Sequence, residues 1–303
     1  MSPESEGQAR AEQFRHEKHL GLQPIGDAFA LFELVPQLDV ASLAVSNPDE
    51  HGMTAHDPAR GVTKVVVACT QNPLRQRSTL AHELAHVLFR DHEYASQGKL
   101  TGREDYEQRA DAFARHLLVP LQGLRDFLGP QEPLSTADLS RLVQWFVASP
   151  QMMLIQLARA AYIDQARKDL WWNHTGPWLA GNHGWMPQYR ALQVESATPR
   201  APQRLLTRAT HGYQDGVLSL RAIARIRAAD PKFVERELAQ AGITPSNPAL
   251  RWADTSEQTV TEHDFADLDA LEDIEISLAH GEATENDSDE TRRAGRDNPL
   301  ASA

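Results

Sequence analysis

Two histidines four positions apart, His82 and His86, lie in the stretch STLAHELAHVLF. Four residues are close to one helical turn, so both imidazole rings lie on one face of a helix and can reach a single metal ion. The other side of this helix is apolar and carries Leu80, Leu84, Val87 and Leu88. The pattern predicts a helix with one metal-binding face and a separate packing face.

The residues before this segment indicate where the helix begins. Asn72 is a good N-cap and Pro73 suits the first helical turn, so we expect a helix from Pro73 to about Arg90. The remaining pattern around it predicts helices over 1–20, 27–35 and 104–118 and strands over 39–45 and 62–70. These elements form a small α+β unit.

A catalytic zinc site needs a third protein ligand and an open position for water. Glu107 and Asp111 lie on one face of the predicted helix at 104–118, together with apolar residues. Carboxylates on a face that packs against the core need partners. Zinc would be the partner of Glu107, and the second ring N–H of His82 or His86 would be the partner of Asp111.

Two alternatives to this ligand assignment stay open. Glu104 and Asp105 are rival third ligands, although they lie farther up the helix and away from its apolar side. The second alternative is a set of surface ion pairs, in which the two carboxylates bind arginines nearby in sequence, namely Arg103, Arg109 and Arg115.

Charge and composition exclude several classes of function. Residues 251–303 hold 15 Asp or Glu against 4 Arg, whereas residues 1–250 hold 27 acidic and 26 basic residues, so the tail carries −11 of the net charge of −12. A near-neutral body lacks the excess of Lys and Arg that binds phosphates, so we do not expect direct nucleic-acid binding. Cys69 is the only cysteine, which excludes an intrachain disulfide.

The sequence also gives an expectation about location. The first residues, MSPESEGQARAEQFRHEKH, have no apolar core of the kind a secretory signal needs. No apolar run approaches the ~20 residues that cross a bilayer. We therefore expect a cytoplasmic protein with no membrane partner.

The second half of the chain is helical and weakly repetitive. Ser149-Pro150 and Asp230-Pro231 each mark the start of a capped helix that follows another amphipathic helix, which indicates two helix–turn–helix-like units. The connector between them contains four tryptophans, Trp171, Trp172, Trp178 and Trp185. These side chains are either a peptide-binding platform or packing residues that join the two units.

The segments RQRSTLAHELAHVLF and EQRADAFARHLLVP resemble the zinc metallopeptidase domain of the ImmA/IrrE family. The resemblance covers about residues 20–120 and continues more weakly through LSRLVQWFVASPQMMLIQLARAAYI, where family members often carry a helix–turn–helix-like extension. It implies that His82, His86 and Glu107 bind Zn²⁺ and that Glu83 is the catalytic carboxylate. Asp111 stands where many members have asparagine.

What the family does implies a substrate class. Known members cleave or otherwise inactivate helix–turn–helix repressors or antitoxin-like regulators, so a protein of that kind is the expected substrate. Hydrolysis would use a zinc-activated water, with Glu83 as general base. A further donor would stabilise the oxyanion, and Tyr106, His92 and His116 are the candidates.

Taken together, these patterns predict an α+β chain in four parts. A zincin-like metallopeptidase domain of helices and a short sheet spans residues 1–130, and a helix–turn–helix-like extension spans 131–165. A Trp-rich connector with a second helical unit covers 166–250, and an acidic, largely disordered tail covers 251–303.

Two other classes of function compete with the peptidase. In the first, the protein is a non-catalytic, metal-containing regulatory module whose helical C-terminal half binds a partner without cutting it. In the second, it is a DNA-binding transcription factor, against which the charge distribution already argues.

Overall fold

The computed structural model of the chain describes residues 1–46, 51–91, 103–130 and 133–246. These residues combine many helices with one small sheet, which confirms the predicted α+β class. The acidic tail predicted for 251–303 lies outside the described residues. Among the described helices, none has both the length and the apolar character that crossing a membrane requires.

The described strands are β1 (Leu38–Leu43), β2 (Gly52–Asp57) and β3 (Val62–Ala68). The helices of the N-terminal half are α1 (Pro3–Glu17), α2 (Ala28–Phe32), α3 (Pro73–Phe89), α4 (Arg103–Leu118) and α5 (Leu121–Leu128). Those that follow are α6 (Thr136–Phe146), α7 (Pro150–Arg159), α8 (Gln165–Trp171), α9 (Gly176–Asn182), α10 (Met186–Ser196), α11 (Gln203–Gln214), α12 (Leu220–Ile226) and α13 (Pro231–Gln240).

The sheet has the strand order β1-β3-β2. The central strand β3 runs parallel to β1, with Val65 opposite Val40, and antiparallel to β2, with Val65 opposite Thr54. Strands β1 and β3 fall where the sequence predicts them. Strand β2 was not predicted, because its residues are mostly exposed and carry no apolar alternation.

Helix α3 begins and ends close to the predicted positions. The Asn72 side chain accepts a hydrogen bond from the backbone N–H of Arg75, and Pro73 is the first helical residue. The helix ends at Phe89, and the residue that caps it, Arg90, has a φ of 57° in the left-handed region. Leu80 and Leu84 are fully buried, so the predicted packing face does pack against the core.

Helices α1 and α4 approach each other closely. A Cβ atom on Gly7 would lie 2.5 Å from the carbonyl oxygen of Arg109 and 2.6 Å from Cβ of Ala112, so only glycine fits at this crossing. Farther along α1, the Phe14 ring meets the Phe113 ring edge-on at a centroid distance of 6.3 Å. This packing sets the position of α4 in the structure.

One hydrophobic core connects the described residues from Ala11 on α1 to Tyr189 on α10. A second, smaller cluster joins α11, α12 and α13. Helices α7 and α13 begin at the two predicted positions, with Ser149 and Asp230 as their N-caps. Their identity as helix–turn–helix units, and the division of the chain at residues 130, 165 and 250, stay predictions.

The four tryptophans of the connector divide into two pairs. Trp171 and Trp185 are buried, and the Trp185 indole N–H donates to the hydroxyl of Ser140 at 2.8 Å. Trp172 and Trp178 are exposed to about two fifths of their surface. The buried pair therefore packs within the first core cluster, and neither tryptophan is part of the second cluster, so a role in joining the two units stays a prediction.

Candidate metal centre

The two histidines of α3 bring their Nε2 atoms to the same point. His82 and His86 lie one turn apart, and their Nε2 atoms are 3.0 Å from each other. Both rings are partly exposed, because they lie on the face of α3 that points away from the core. The amphipathic pattern of the helix therefore places two metal-binding nitrogens at the surface of a cleft.

Helix α4 supplies the third donor. Oε2 of Glu107 lies 3.1 Å from Nε2 of His82 and 3.8 Å from Nε2 of His86. One donor atom from each of these three residues lies within 4.8 Å of the other two, and they are the group that the described residues offer for a metal ion. The rival ligands Glu104 and Asp105 are exposed and lie outside this group.

The spacing of the donors fits a zinc ion. Bonds of about 2.0–2.2 Å in a tetrahedral site place donor atoms roughly 3.3 Å apart, and the observed separations of 3.0–3.8 Å bracket that value. Two imidazole nitrogens and one carboxylate are also the donor set of many catalytic zinc sites, which keep a fourth position open.

Each of the two histidines also contacts a carboxylate through its other ring nitrogen, Nδ1. Nδ1 of His82 is 2.9 Å from Oδ1 of Asp111, and Nδ1 of His86 is 2.8 Å from Oδ2 of Asp91. A carboxylate can only accept, so each Nδ1 carries a proton that it donates, and in the neutral ring Nε2 then presents its lone pair. Two lone pairs that face each other at 3.0 Å repel unless a cation lies between them.

Charge in the site favours a cation. Burial opposes a charge on His82, but the hydrogen bond to Asp111 and the charges of Asp111, Glu83 and Glu107 outweigh burial and raise the pKa of His82. The hydrogen bond from His82 also lowers the pKa of Asp111. The arrangement is thus built to hold positive charge at the point where the three donors converge.

The sequence predicts a contact between Asp111 and a histidine of α3, which the structure contains, but it gives no expectation for Asp91. Asp91 follows directly after Arg90, whose left-handed backbone turns the chain back toward the helix it has just left. The sequence offers one weak signal, an acidic residue just beyond the end of the helix. Of the arginines in the ion-pair alternative, Arg109 pairs instead with Asp91 and Glu6. Arg115 pairs with Glu4, and its charge also helps, after the hydrogen bond from His82, to lower the pKa of Asp111.

Glu83 lies between the two histidines in sequence and is held by the edge strand. Its side chain is largely buried, and its Oε2 accepts a hydrogen bond from the Thr54 hydroxyl at 2.7 Å. A Cβ atom on Gly52 would lie 3.0 Å from Oε1 of Glu83 and 2.6 Å from Cγ2 of Thr79, so glycine lets β2 pass close to α3. Thr54 and Gly52 were not predicted as site residues.

The cleft over these groups has a volume of about 720 Å³. Glu83, Glu107 and Asp111 line it together with His82, and β2 contributes Gly52. The opposite wall carries Ser149, Met152 and Ile155, from the start and the first turns of α7. The helix that the sequence assigned to an extension therefore forms part of the cleft.

The three candidate oxyanion donors lie in different places. His116 is buried on the other side of α4, where Nε2 is 2.9 Å from Oε1 of Glu4, and it does not line the cleft. The Tyr106 ring lies under the guanidinium of Arg109, 4.9 Å from centroid to Cζ. His92 lies outside the described residues.

A helix that carries HExxH, and a glutamate from a neighbouring helix that completes the donor set, are the arrangement of a metallopeptidase site. Comparison with known families identifies the group more closely. Residues 37–157 match the family model Peptidase_M78, described as the IrrE N-terminal-like domain, so this part of the chain is similar to the ImmA/IrrE family of peptidases. No curated protein matches the chain.

Proposed function

We propose that the protein is a zinc-dependent endopeptidase that hydrolyses a peptide bond in a regulatory protein. The observation that carries the proposal is the convergence of His82 Nε2, His86 Nε2 and Glu107 Oε2 beside a buried Glu83. The family match to residues 37–157 supports a peptidase, and the donor set supports zinc.

When bound, zinc would supply Lewis acidity toward the scissile carbonyl and make water acidic enough to act as a nucleophile at neutral pH. His82, His86 and Glu107 would hold the ion. Asp111 and Asp91 keep the two imidazole rings in the tautomer that leaves Nε2 free to bind it.

Glu83 would be the general base and then the general acid. Its carboxylate takes a proton from the attacking water while the new C–O bond forms, and passes that proton to the amide nitrogen as the C–N bond breaks. The hydrogen bond from Thr54 fixes one oxygen of this carboxylate, which keeps the other available for the transfer. Such positioned proton transfer contributes about 10²- to 10⁴-fold to the rate.

The proposed substrate is a helix–turn–helix repressor or an antitoxin-like regulator, and the proposed location is the cytoplasm. The resemblance of the motifs to the ImmA/IrrE family supports this substrate class. The cleft supports a peptide rather than a small molecule, because it is open and is walled by β2 on one side and by α7 on the other.

The test uses the zinc-loaded protein with two probes: a degenerate peptide library read by mass spectrometry, and the regulator encoded beside its gene. We expect cleavage by the unaltered protein and a loss of at least about 100-fold for Glu83→Gln. Asp105→Asn is the matched control, since this carboxylate lies on α4 outside the donor group. Equal processing by Glu83→Gln and the unaltered protein would show that the hydrolytic mechanism is wrong.

The same experiment separates the peptidase from the non-catalytic alternative. A regulatory module would copurify with an intact partner, and it would lose that partner in His82→Ala but not in Glu83→Gln. A peptidase would instead retain an uncut partner only in Glu83→Gln.

A further inference from the structure

We propose that Asp91, held by Arg109, is the residue that positions His86 for metal binding, and that this pair matters more for zinc affinity than Asp111 does. The inference rests on the proposed function, because it concerns the same site. It assigns unequal roles to two carboxylates that have the same kind of contact with a ligand histidine.

Burial distinguishes the two carboxylates. The Asp91 side chain is 9% exposed, whereas that of Asp111 is 63% exposed. Water competes for an exposed carboxylate and screens its charge, so the contact of Asp111 with His82 holds its ring less firmly than a buried contact of the same length would. The contact between Asp91 and His86 lies in a medium of low dielectric constant, where a charge-assisted hydrogen bond is stronger.

Asp91 is also fixed at both oxygens. Oδ2 contacts Nδ1 of His86 at 2.8 Å, and Oδ1 contacts Nη2 of Arg109 at 2.5 Å. The Arg109 guanidinium lies 3.9 Å from the centroid of the Phe89 ring, and its Nη1 is 3.5 Å from Oε2 of Glu6. A chain of contacts therefore runs from α1 through α4 to the metal-binding ring.

This chain keeps the His86 ring oriented before a metal ion arrives. One oxygen of Asp91 contacts the Arg109 guanidinium and the other contacts Nδ1 of His86. A carboxylate oxygen accepts hydrogen bonds, so the proton of His86 stays on Nδ1. Nε2 is then available to the metal, and a neighbouring carboxylate makes the ring a stronger donor. A residue that fixes one ligand in this way lowers the cost of organising the site when the ion binds.

The experiment measures zinc affinity of the full chain by competition with a chromophoric chelator, for Asp91→Ala, Asp91→Asn and Asp111→Ala. Loss of a carboxylate behind a ligand histidine typically costs about 10- to 100-fold in metal affinity, and we expect that loss for Asp91→Ala. The amide oxygen of an asparagine side chain would still accept the hydrogen bond, so Asp91→Asn should recover part of the affinity. Asp111→Ala should lose less than about tenfold.

Two further measurements separate positioning from folding. Thermal unfolding of the metal-free proteins shows whether each variant folds. If Asp91→Ala does not fold, the zinc affinity of Asp91→Asn, which keeps the shape and one acceptor, decides whether Asp91 positions His86. Nitrogen NMR of the imidazole rings should show His86 protonated at Nδ1 in the unaltered metal-free protein and a shift of the proton toward Nε2 in Asp91→Ala.

A zinc affinity for folded Asp91→Ala within about twofold of the unaltered protein, or a larger loss for Asp111→Ala, would overturn the inference. Either result would leave peptide cleavage untouched. Zinc binding without cleavage by the unaltered protein would instead overturn the proposed function and leave this inference standing. Failure of the unaltered protein to bind zinc would overturn both.

Discussion

At the scale of single residues, the orientation of the proposed general base depends on a hydrogen bond from another side chain. Thr54 lies on β2, and its hydroxyl is 2.7 Å from Oε2 of Glu83 on α3. Glu83 is largely buried, so this hydrogen bond holds the carboxylate in one rotamer where water has little access. The proposed general base thus takes its orientation from a strand that contains no proposed metal ligand.

Replacing Thr54 should therefore slow turnover without weakening metal binding. Thr54→Val keeps the shape and removes the donor, and a hydrogen bond to a charged group is worth about 1.5 kcal/mol, which corresponds to roughly tenfold in kcat. Thr54→Ser retains the hydroxyl and should retain most of the rate. The measurement is kcat on a cleaved peptide beside zinc affinity, and a Thr54→Val enzyme as fast as Thr54→Ser would contradict the role.

At the scale of elements, helix α3 is joined to its neighbours by polar contacts as well as by its apolar face. Arg77 donates to three carbonyl oxygens, those of Ile25 at 2.6 Å, Gly26 at 2.8 Å and Val147 at 3.1 Å. Val147 ends α6 in the left-handed region, with φ of 50°. Arg77 is half-buried, and desolvation lowers the pKa of its guanidinium.

Shortening this side chain should destabilise the protein. A lysine cannot reach three carbonyls in different directions, so Arg77→Lys should lower the free energy of unfolding by about 2–3 kcal/mol. Arg75→Lys on the same helix is the control, because Arg75 is exposed. Denaturant unfolding of both variants measures the difference, and an equal stability for the two would show that the three contacts contribute nothing.

The elements also show what a sequence can and cannot reveal. The start of α3 follows from Asn72 and Pro73, and the shared face of His82 and His86 follows from helical spacing, because these signals are local. Strand β2 has no local signal, since its exposed residues gain their hydrogen bonds from β3.

Asp91 and Thr54 could not have been identified from the sequence for a related reason. Each reaches its partner through the path of the backbone, Asp91 by the turn at Arg90 and Thr54 by the register of the sheet. Short polar residues of this kind occur throughout the chain, and neither has a spacing that points to His86 or Glu83. A tertiary contact of this kind becomes visible only in the folded structure.

At the scale of the whole molecule, one partly buried polar cluster joins helices that are far apart in sequence. Glu4 on α1 contacts His116 and Arg115 on α4 and Arg159 on α7. Burial opposes the charge on Glu4, but the hydrogen bond from His116 and the nearby arginines outweigh it and lower the pKa of Glu4. Burial also lowers the pKa of His116, which is 2% exposed.

Both shifts make the folded state less stable in acid. A lowered pKa of Glu4 stabilises the protein above the ordinary value near 4.5, and this stabilisation is lost as the pH falls through the folded-state pKa. A lowered pKa of His116 means that the unfolded chain binds the proton more readily, so stability falls once the pH drops below about 6.5.

We therefore expect the free energy of unfolding to decrease as the pH falls from 7 to 4. In His116→Gln the decline between about pH 6.5 and 5 should become shallower, because the group that binds a proton on unfolding is gone. His211→Gln is the control, since His211 is exposed on α11. Denaturant unfolding across this range measures both slopes, and parallel curves for His116→Gln and the unaltered protein would exclude the role of His116.

The crossing of α1 over α4 has a practical consequence for work with this protein. The family match begins at residue 37, and a shortened chain that starts there would lack the helix that covers Phe113 and supplies Phe14, Glu4 and Glu6. Such a fragment would carry an uncovered apolar stripe along α4 and a strong tendency to aggregate. Failure of that fragment in an activity assay would thus reflect a missing scaffold rather than an inert peptidase.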